Sequence, residues 1–312
     1  MNGFDVINNR FLEEILFECH KYKKQGRVAS YIPELAKANP ESFGICIMGE
    51  NGKLNFAGEF LDTFTIQSVI KPVILLLALI DKGEETVRKL VGVEATGKPF
   101  DAFNYSDQAL RGDHINPMIN TGAIALCTLI EGETYEQKFE RLIELTRAMA
   151  DNPCLDVDEQ VYLSEKATGN KNRALAYMLK AYGMIKDDVE SVVDCYFRAC
   201  SIRVNCADLA RIAFVLANKG VDPKSGKQLC PAEYTRFVNA VLMTCGMYDG
   251  SGEFALDVEF PAKSGVGGGI MGVVPGKLGI GIFSPSLDSK GNSLAGVKAM
   301  QLLSHKLDLS IF

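Results

Sequence analysis

Apolar positions change their spacing several times along this chain, and each change predicts a change of structure. Over residues 6–24 they fall at Ile7, Phe11, Leu12, Ile15, Leu16 and Cys19, the spacing of an amphipathic helix. Gly26-Arg27-Val28-Ala29-Ser30-Tyr31-Ile32-Pro33 reads as a loop, and Pro33-Glu34-Leu35-Ala36-Lys37 as the start of a short helix. Residues 43–48 and 53–58, separated by Glu50-Asn51-Gly52, predict a β-hairpin. A continuous apolar run over 73–80 then meets Asp81-Lys82-Gly83, which predicts a buried helix stopped at a glycine cap.

From Glu85 to about Phe260 the pattern is helical, with amphipathic stretches at 119–130, 133–150, 158–166, 171–182, 187–199, 205–219 and 231–244. Asp222-Pro223-Lys224-Ser225-Gly226 is a turn between two of them. After Pro261, residues 264–274 and 278–283 around Pro275-Gly276-Lys277 predict a Gly-rich hairpin. A polar loop over 285–292 leads to a last helix, 293–307, with Leu294, Val297, Leu302 and Leu303 as apolar positions. The fold class expected is α+β. Strands from the two ends of the chain form one antiparallel sheet flanked by terminal helices, with a large helical block inserted. We expect a single domain, 1–312, made of residues 1–84 plus 261–312 and a helical insertion over 85–260. The cleft between sheet and block is the natural site.

Composition narrows the function. The 312 residues are 47% hydrophobic and 23% charged, an ordinary globular balance. A net charge of −6 and the lack of any basic run argue against nucleic acid or an anionic membrane as partner. The apolar run over 73–80 is too short to span a bilayer, and Asp5, Glu13 and Glu14 break any signal-peptide pattern in residues 1–20. A cytoplasmic location is expected. Nine cysteines without C-x-x-C spacing fit reduced thiols in such a compartment. His20, His114 and His305 are the only histidines and none pairs at ligand spacing, so no metal and no histidine-based triad is expected.

The chemistry centres on Thr65-Ile66-Gln67-Ser68-Val69-Ile70-Lys71-Pro72. Pro72 has no N–H for the carbonyl of residue 68, so the helix should begin near Ser68. That places the Ser68 hydroxyl where free backbone N–H groups favour developing negative charge. Lys71, three residues on, shares its face, and a lysine buried among apolar neighbours tends to lose its proton and act as a base. The bland alternative is an N-cap serine and a surface lysine. S-x-x-K belongs to penicillin-binding proteins and class A β-lactamases, which also carry S-D-N and K-T-G. Here Lys263-Ser264-Gly265 supplies a K-[ST]-G that opens a strand, whereas the second copy, Lys224-Ser225-Gly226, sits in a turn. Ser106-Asp107-Gln108 is the nearest approach to S-D-N, and no Y-x-N occurs, which counts against a β-lactam-reactive protein. Val266-Gly267-Gly268-Gly269 lets another backbone approach closely, or marks a bulge or tight packing.

Asn116-Pro117-Met118-Ile119-Asn120-Thr121-Gly122-Ala123-Ile124 resembles the N-P-x-x-N-A-G-A-I signature of the serine-dependent glutaminases. The resemblance runs over nearly the whole chain. It includes Ala29-Ser30-Tyr31-Ile32-Pro33, the Ser68 stretch, Ser164-Glu165 followed by Asn172, and Asp194-Cys195-Tyr196-Phe197. It continues through Cys245-Gly246-Met247-Tyr248-Asp249, residues 261–269, and Ser284-Pro285-Ser286-Leu287-Asp288 with Gly291-Asn292-Ser293. It implies hydrolysis of L-glutamine to L-glutamate and ammonia without a cofactor. It also implies the fold of the β-lactamase and D,D-peptidase group, and a homodimer or homotetramer.

Carried over by position, the resemblance makes Ser68 the nucleophile and Lys71 its activating partner, with Tyr31 nearby. Asn120, Glu165, Asn172, Tyr196, Tyr248 and the backbone of Val266 would bind substrate. The roles have physical grounds: Glu165 can meet an ammonium, the asparagines and tyrosines a carboxylate and carboxamide, and the N–H groups of Ser68 and Val266 an oxyanion. Either Tyr31 or Tyr248 can relay a proton to the leaving group. Other readings stand beside these. Asn120 can be a helix cap, Glu165 and Asn172 a solvated pair, and Tyr196 plain core. Thr121 departs from the signature's alanine, and Ser264 from the threonine of K-T-G. An amidase or esterase acting on another substrate, and a glutamine-sensing protein without activity, are the competing functions. The paired asparagines with Glu165 argue against the first, and an intact Ser68 with Lys71 against the second.

Overall fold

The computed structural model describes residues 6–50, 52–97 and 115–312; Ser106-Asp107-Gln108 and His114 lie outside them. The chain opens with helix α1 (Asn9–Cys19), strands β1 (Gly44–Gly49), β2 (Leu54–Gly58) and β3 (Phe64–Thr65), and helix α2 (Lys71–Leu90). The helical block follows: α3 (Asn120–Cys127), α4 (Tyr135–Ala150), α5 (Glu159–Thr168), α6 (Asn170–Ala181) and α7 (Val189–Cys200). After the short strand β4 (Arg203–Val204) come α8 (Cys206–Ala217), α9 (Ala232–Cys245) and α10 (Ser251–Asp257). Strands β5 (Ala262–Ser264), β6 (Gly269–Val274) and β7 (Leu278–Phe283) and helix α11 (Leu294–Leu307) close the chain.

Strands from the two ends pair into one five-stranded sheet in the order β2-β1-β7-β6-β5, antiparallel throughout. Its register sets Ile45 opposite Ile282 and Ile47 opposite Ile280, and Ile282 in turn opposite Ile270. These isoleucines face α1 and α11 in one core. The alternate residues Cys46, Met48, Met271, Val273 and Phe283 face the helical block in the other. With both faces covered, the strands read as near-continuous apolar runs rather than as an alternation. Each fully buried isoleucine contributes about 2 kcal/mol.

Helix α8 carries the contact between sheet and block. Almost every residue in it is buried, as expected of a helix with no solvent face. Its start is fixed by a capping box in which Asn205 and Asp208 satisfy each other's backbone N–H groups. Glycines in β7 let it sit directly on the sheet. A Cβ at Gly281 would lie 2.1 Å from the Cys206 carbonyl oxygen, and one at Gly279 2.2 Å from that of Ala210. These glycines of the last hairpin thus serve tight packing.

The structure corrects several sequence expectations. The first helix becomes 3-10 from His20 to Gln25, after α1 ends at Cys19. Gly83 does not end α2: it kinks the chain at φ 75°, and helix resumes to Leu90. The stretch 264–274 is two strands, because Gly265 to Gly268 turn the chain between β5 and β6. Helix α10 was not foreseen, since seven residues are too few to show a period. Its Phe254 packs with Met247 and Phe260 in the α1–α11 core, not with the helical block.

Gly281→Ala should lower stability by about 3 kcal/mol by forcing α8 off the sheet. Gly252→Ala, at an open helical position with nothing within 4 Å, should leave it unchanged or slightly raised. Thermal and urea unfolding of the two variants measures the contrast.

Candidate active site

Ser68 lies in a strand–turn–helix junction. Strand β3 is pinned to β4, with Phe64 opposite Val204 and Thr65 opposite Arg203, and the Ile66 N–H continues this with a 2.8 Å bond to the Ile202 carbonyl. The chain then turns sharply: Gln67 takes the left-handed conformation at φ 48°, and Gln67–Ile70 form a 3-10 turn before α2. Ser68 therefore precedes the α-helix instead of lying in its first turn. The Lys71 N–H closes the junction on the Ser68 carbonyl.

The Lys71 side chain is completely buried, and its amine donates to the Met118 carbonyl at 3.2 Å and to Asn120 Oδ1 at 2.7 Å. The N-P-x-x-N-x-G run is built to supply these acceptors. Asn116 Oδ1 accepts from the Met118 N–H at 2.9 Å, folding a turn that aims the Met118 carbonyl inward. Gly122 is required because a Cβ there would lie 2.0 Å from the Asn116 carbonyl oxygen. Asn120 is not the cap of α3, which is Ile119. Its Oδ1 also accepts from the Tyr196 hydroxyl at 3.2 Å, and its Nδ2 donates to Asn172 Oδ1 at 2.9 Å.

These residues wall a cavity of about 70 Å³, lined by Ser68, Gln67, Asn120, Asn172, Glu165, Tyr196, Cys200 and Lys171, with Tyr31, Ile32, Thr168 and Gly169. Tyr31 stands at the mouth, 56% exposed. Glu165 and Asn172 do not share a helix face: the chain breaks at Gly169, and they approach from α5 and α6. Tyr196 is both core and wall. Glu165 is buried, and its Oε2 has no hydrogen-bond partner. Burial raises its pKa to about 8, against the opposing pull of a Gln67 hydrogen bond and the Lys71 charge.

Tyr248, Val266, Lys263, Ser264 and Gly265 stand behind this cavity and do not line it. The Tyr248 hydroxyl donates to the Ser264 carbonyl at 3.0 Å and is within hydrogen-bonding reach of the Ser68 side chain. Lys263 is fully buried, bonds the Gly246 and Ser264 carbonyls at 3.0 and 2.6 Å, and lies 4.3 Å from the centre of the Tyr248 ring. Burial, aided by the Lys71 charge, drives its pKa well down. Gly265 and Gly267 press the turn around Val266 onto the nucleophile's backbone. A Cβ at Gly265 would lie 3.0 Å from the Ile66 carbonyl oxygen, and one at Gly267 2.6 Å from that of Thr65. Thr121 is buried away from the cavity. Among the described residues, no group of three or more His, Cys, Asp or Glu is placed to hold a metal ion.

The sequence profile of the family described as Glutaminase matches residues 26–312. The chain belongs to the glutaminase family. It is 50% identical over 301 residues to a glutaminase of Clostridium tetani, covering 96% of this chain and 98% of that one. With a glutaminase of Clostridioides difficile the identity is 48% over 308 residues, 99% of this chain and all of the relative. A probable glutaminase from Bacillus subtilis, solved with 6-diazo-5-oxo-L-norleucine, superposes with a TM-score of 0.89 at 34% identity, covering 97% of each chain. A covalent complex of a Bacillus subtilis glutaminase with 5-oxo-L-norleucine, formed by reaction with 6-diazo-5-oxo-L-norleucine, superposes equally well at 33% identity, covering 97% of this chain and 99% of that one. The antiparallel sheet with flanking helices is the β-lactamase-like fold of these glutaminases.

In this glutaminase, reading the residues missed Gln67, Lys171 and Cys200 as parts of the cavity wall. The signal for Gln67 was its place before the nucleophile at a strand-to-helix turn, where a left-handed residue is needed. Nothing in the helical pattern marked Lys171 or Cys200.

Glu165 also gives the fold a pH signature. Its carboxyl holds a proton up to about pH 8 when folded but ionises near pH 4.5 when unfolded. Stability from this group therefore declines as pH rises between those values. Glu165→Gln removes the titration, so its stability should overtake wild type increasingly from pH 5 to pH 8 and then hold a constant lead of roughly 5 kcal/mol. Melting curves across that range measure it.

Proposed function

We propose that this protein is an L-glutamine amidohydrolase that releases ammonia through a γ-glutamyl ester on Ser68. The observation that carries the reading is the unpartnered, buried Glu165 Oε2 in the wall of the cavity that Ser68 lines. A buried carboxyl without a partner is costly unless a ligand supplies one, and the ammonium of a free amino acid does so.

Bound this way, the substrate sets its ammonium on Glu165, its carboxylate toward Asn172 and Tyr196, and its carboxamide at Ser68. Ser68 Oγ attacks the carboxamide carbon while Lys71, in its neutral amine form, takes the hydroxyl proton. The oxyanion is held by the N–H groups of Ser68 and Val266, whose backbones the Gly265 and Gly267 contacts press together. Of the two tyrosines, Tyr248 is the better relay: it is buried and within reach of Ser68, whereas Tyr31 stands in solvent at the mouth. A proton returned through Tyr248 lets ammonia leave, and water then hydrolyses the ester to L-glutamate. Lys263 and Ser264 support Tyr248 from behind. No cofactor enters the scheme. We propose that residues 1–312 act as one unit, in the cytoplasm and as a homo-oligomer.

Purified protein should release ammonia and glutamate from L-glutamine but not from L-asparagine or D-glutamine. Ser68→Ala should lower kcat at least about 10³-fold while still binding L-glutamine. Undiminished turnover by that variant excludes the ester. The carboxylate form of Glu165 is needed for the ammonium, so kcat/KM should climb as pH rises towards 8, until the substrate's own ammonium deprotonates. Glu165→Gln should raise KM steeply and flatten that climb. A pH profile of initial rates distinguishes the two.

A further inference from the structure

Tyr248 has a left-handed backbone, φ 57°, which a bulky aromatic adopts only when its surroundings impose it. Its ring and hydroxyl are held by Lys263 and the Ser264 carbonyl, but neither acts on the peptide units where the strain lies. Ser251 does. It is the first residue of α10, 5% exposed, and its Oγ accepts from the Met247 N–H at 3.0 Å and donates to the Tyr248 carbonyl at 2.8 Å. One hydroxyl thereby ties the Met247 N–H to the Tyr248 carbonyl, bracketing the two residues of the strained turn. Backbone bonds close the same turn, from the Gly250 N–H to the Met247 carbonyl at 3.0 Å and from the Ser251 N–H to the Tyr248 carbonyl, while Asn292 Nδ2 reaches the Met247 carbonyl only at 3.4 Å. The Ser251 hydroxyl is the one side chain among the described residues that bonds groups of both Met247 and Tyr248.

We propose that Ser251 is a positioning residue for the reaction: it holds Tyr248 in the left-handed conformation that brings the phenol to Ser68. The inference rests on Tyr248 being the proton relay. Ser251 lines no part of the cavity and touches no substrate. Without its hydroxyl, Tyr248 relaxes towards an ordinary backbone conformation, and the phenol leaves the gap between the Ser68 side chain and the Ser264 carbonyl. Substrate binding, built on Glu165, Asn120, Asn172 and Tyr196 across the cavity, is left in place.

The test is a double-mutant cycle on L-glutamine hydrolysis with Ser251→Ala, Tyr248→Phe and their combination, each checked by a melting curve. Ser251→Ala should lower kcat tenfold or more with KM changed less than twofold, and Ser251→Thr, which keeps the hydroxyl, should restore most of it. In the Tyr248→Phe background Ser251→Ala should change kcat less than twofold, because the group it positions has gone. Should Ser251→Ala melt below the assay temperature, Ser251→Cys, a much weaker donor, is read in the same cycle. Equal losses in both backgrounds, or wild-type kcat in Ser251→Ala while Tyr248→Phe is impaired, overturns the positioning role alone. Wild-type kcat in Tyr248→Phe overturns the relay reading and this inference with it.

Discussion

The amine of Lys71 is enclosed by protein on every side, and the arrangement around it follows from satisfying that one group. Leaving a buried donor unmet costs about 1–3 kcal/mol, more if it is charged. The chain meets it with the Met118 carbonyl and the Asn120 amide, both from one tight turn folded by Asn116 and closed by Gly122. Because Lys71 and the Tyr196 hydroxyl both donate to Asn120 Oδ1, the amide has a single permitted orientation. Its NH₂ then points to Asn172. A buried lysine on α2 thereby fixes polar groups contributed by α3, α6 and α7 before any ligand arrives.

The second constraint is backbone strain. Gln67 and Tyr248 are both left-handed non-glycine residues, and each carries a side chain toward Ser68 or Glu165. Such conformations cost about 1–3 kcal/mol apiece and survive only where the surroundings over-determine them. Here β3 is locked to β4 on one side of Gln67, and the glycine turn after β5 presses on the same backbone from the other. The sheet that carries β5 is sealed on both faces by large cores. The site sits at the seam between sheet and helical block because only there do rigid elements meet a short strained segment from several directions.

What the sequence disclosed and what it withheld divide along the range of the forces involved. The helices of the block and the pairing of strands from the two ends follow from local periodicity and turn chemistry, and both were legible. The spacing of Ser68 and Lys71 was legible too, because it is local. Asn120 read equally well as a cap, since whether its amide serves the backbone or a distant lysine depends on residues about fifty positions away. Glu165 and Asn172 read as well as a solvated pair, since their convergence from α5 and α6 is tertiary. The glycines of β7 carried no sign that α8 would lie on them, because a close approach belongs to two elements at once. The family resemblance named Tyr248, but nothing in its stretch marked the left-handed turn that aims it inward.

The charge balance around the site completes the picture. Burial drives the Glu165 carboxyl toward its protonated form and the Lys263 amine toward its neutral one, each for want of solvent. A ligand that brings an ammonium to Glu165 supplies the charge that the carboxylate lacks, and the pair forms only where water is already excluded. In the proposed complex that ammonium and the carboxamide at Ser68 are the two fixed ends of one molecule. The separation of α5 from the junction before α2 then measures the length of the chain between them. On that reading, shortening the substrate by one methylene, as in asparagine, would break one end or the other. Selectivity would then be a property of the scaffold: the same packing that buries Glu165 would set the distance it reads.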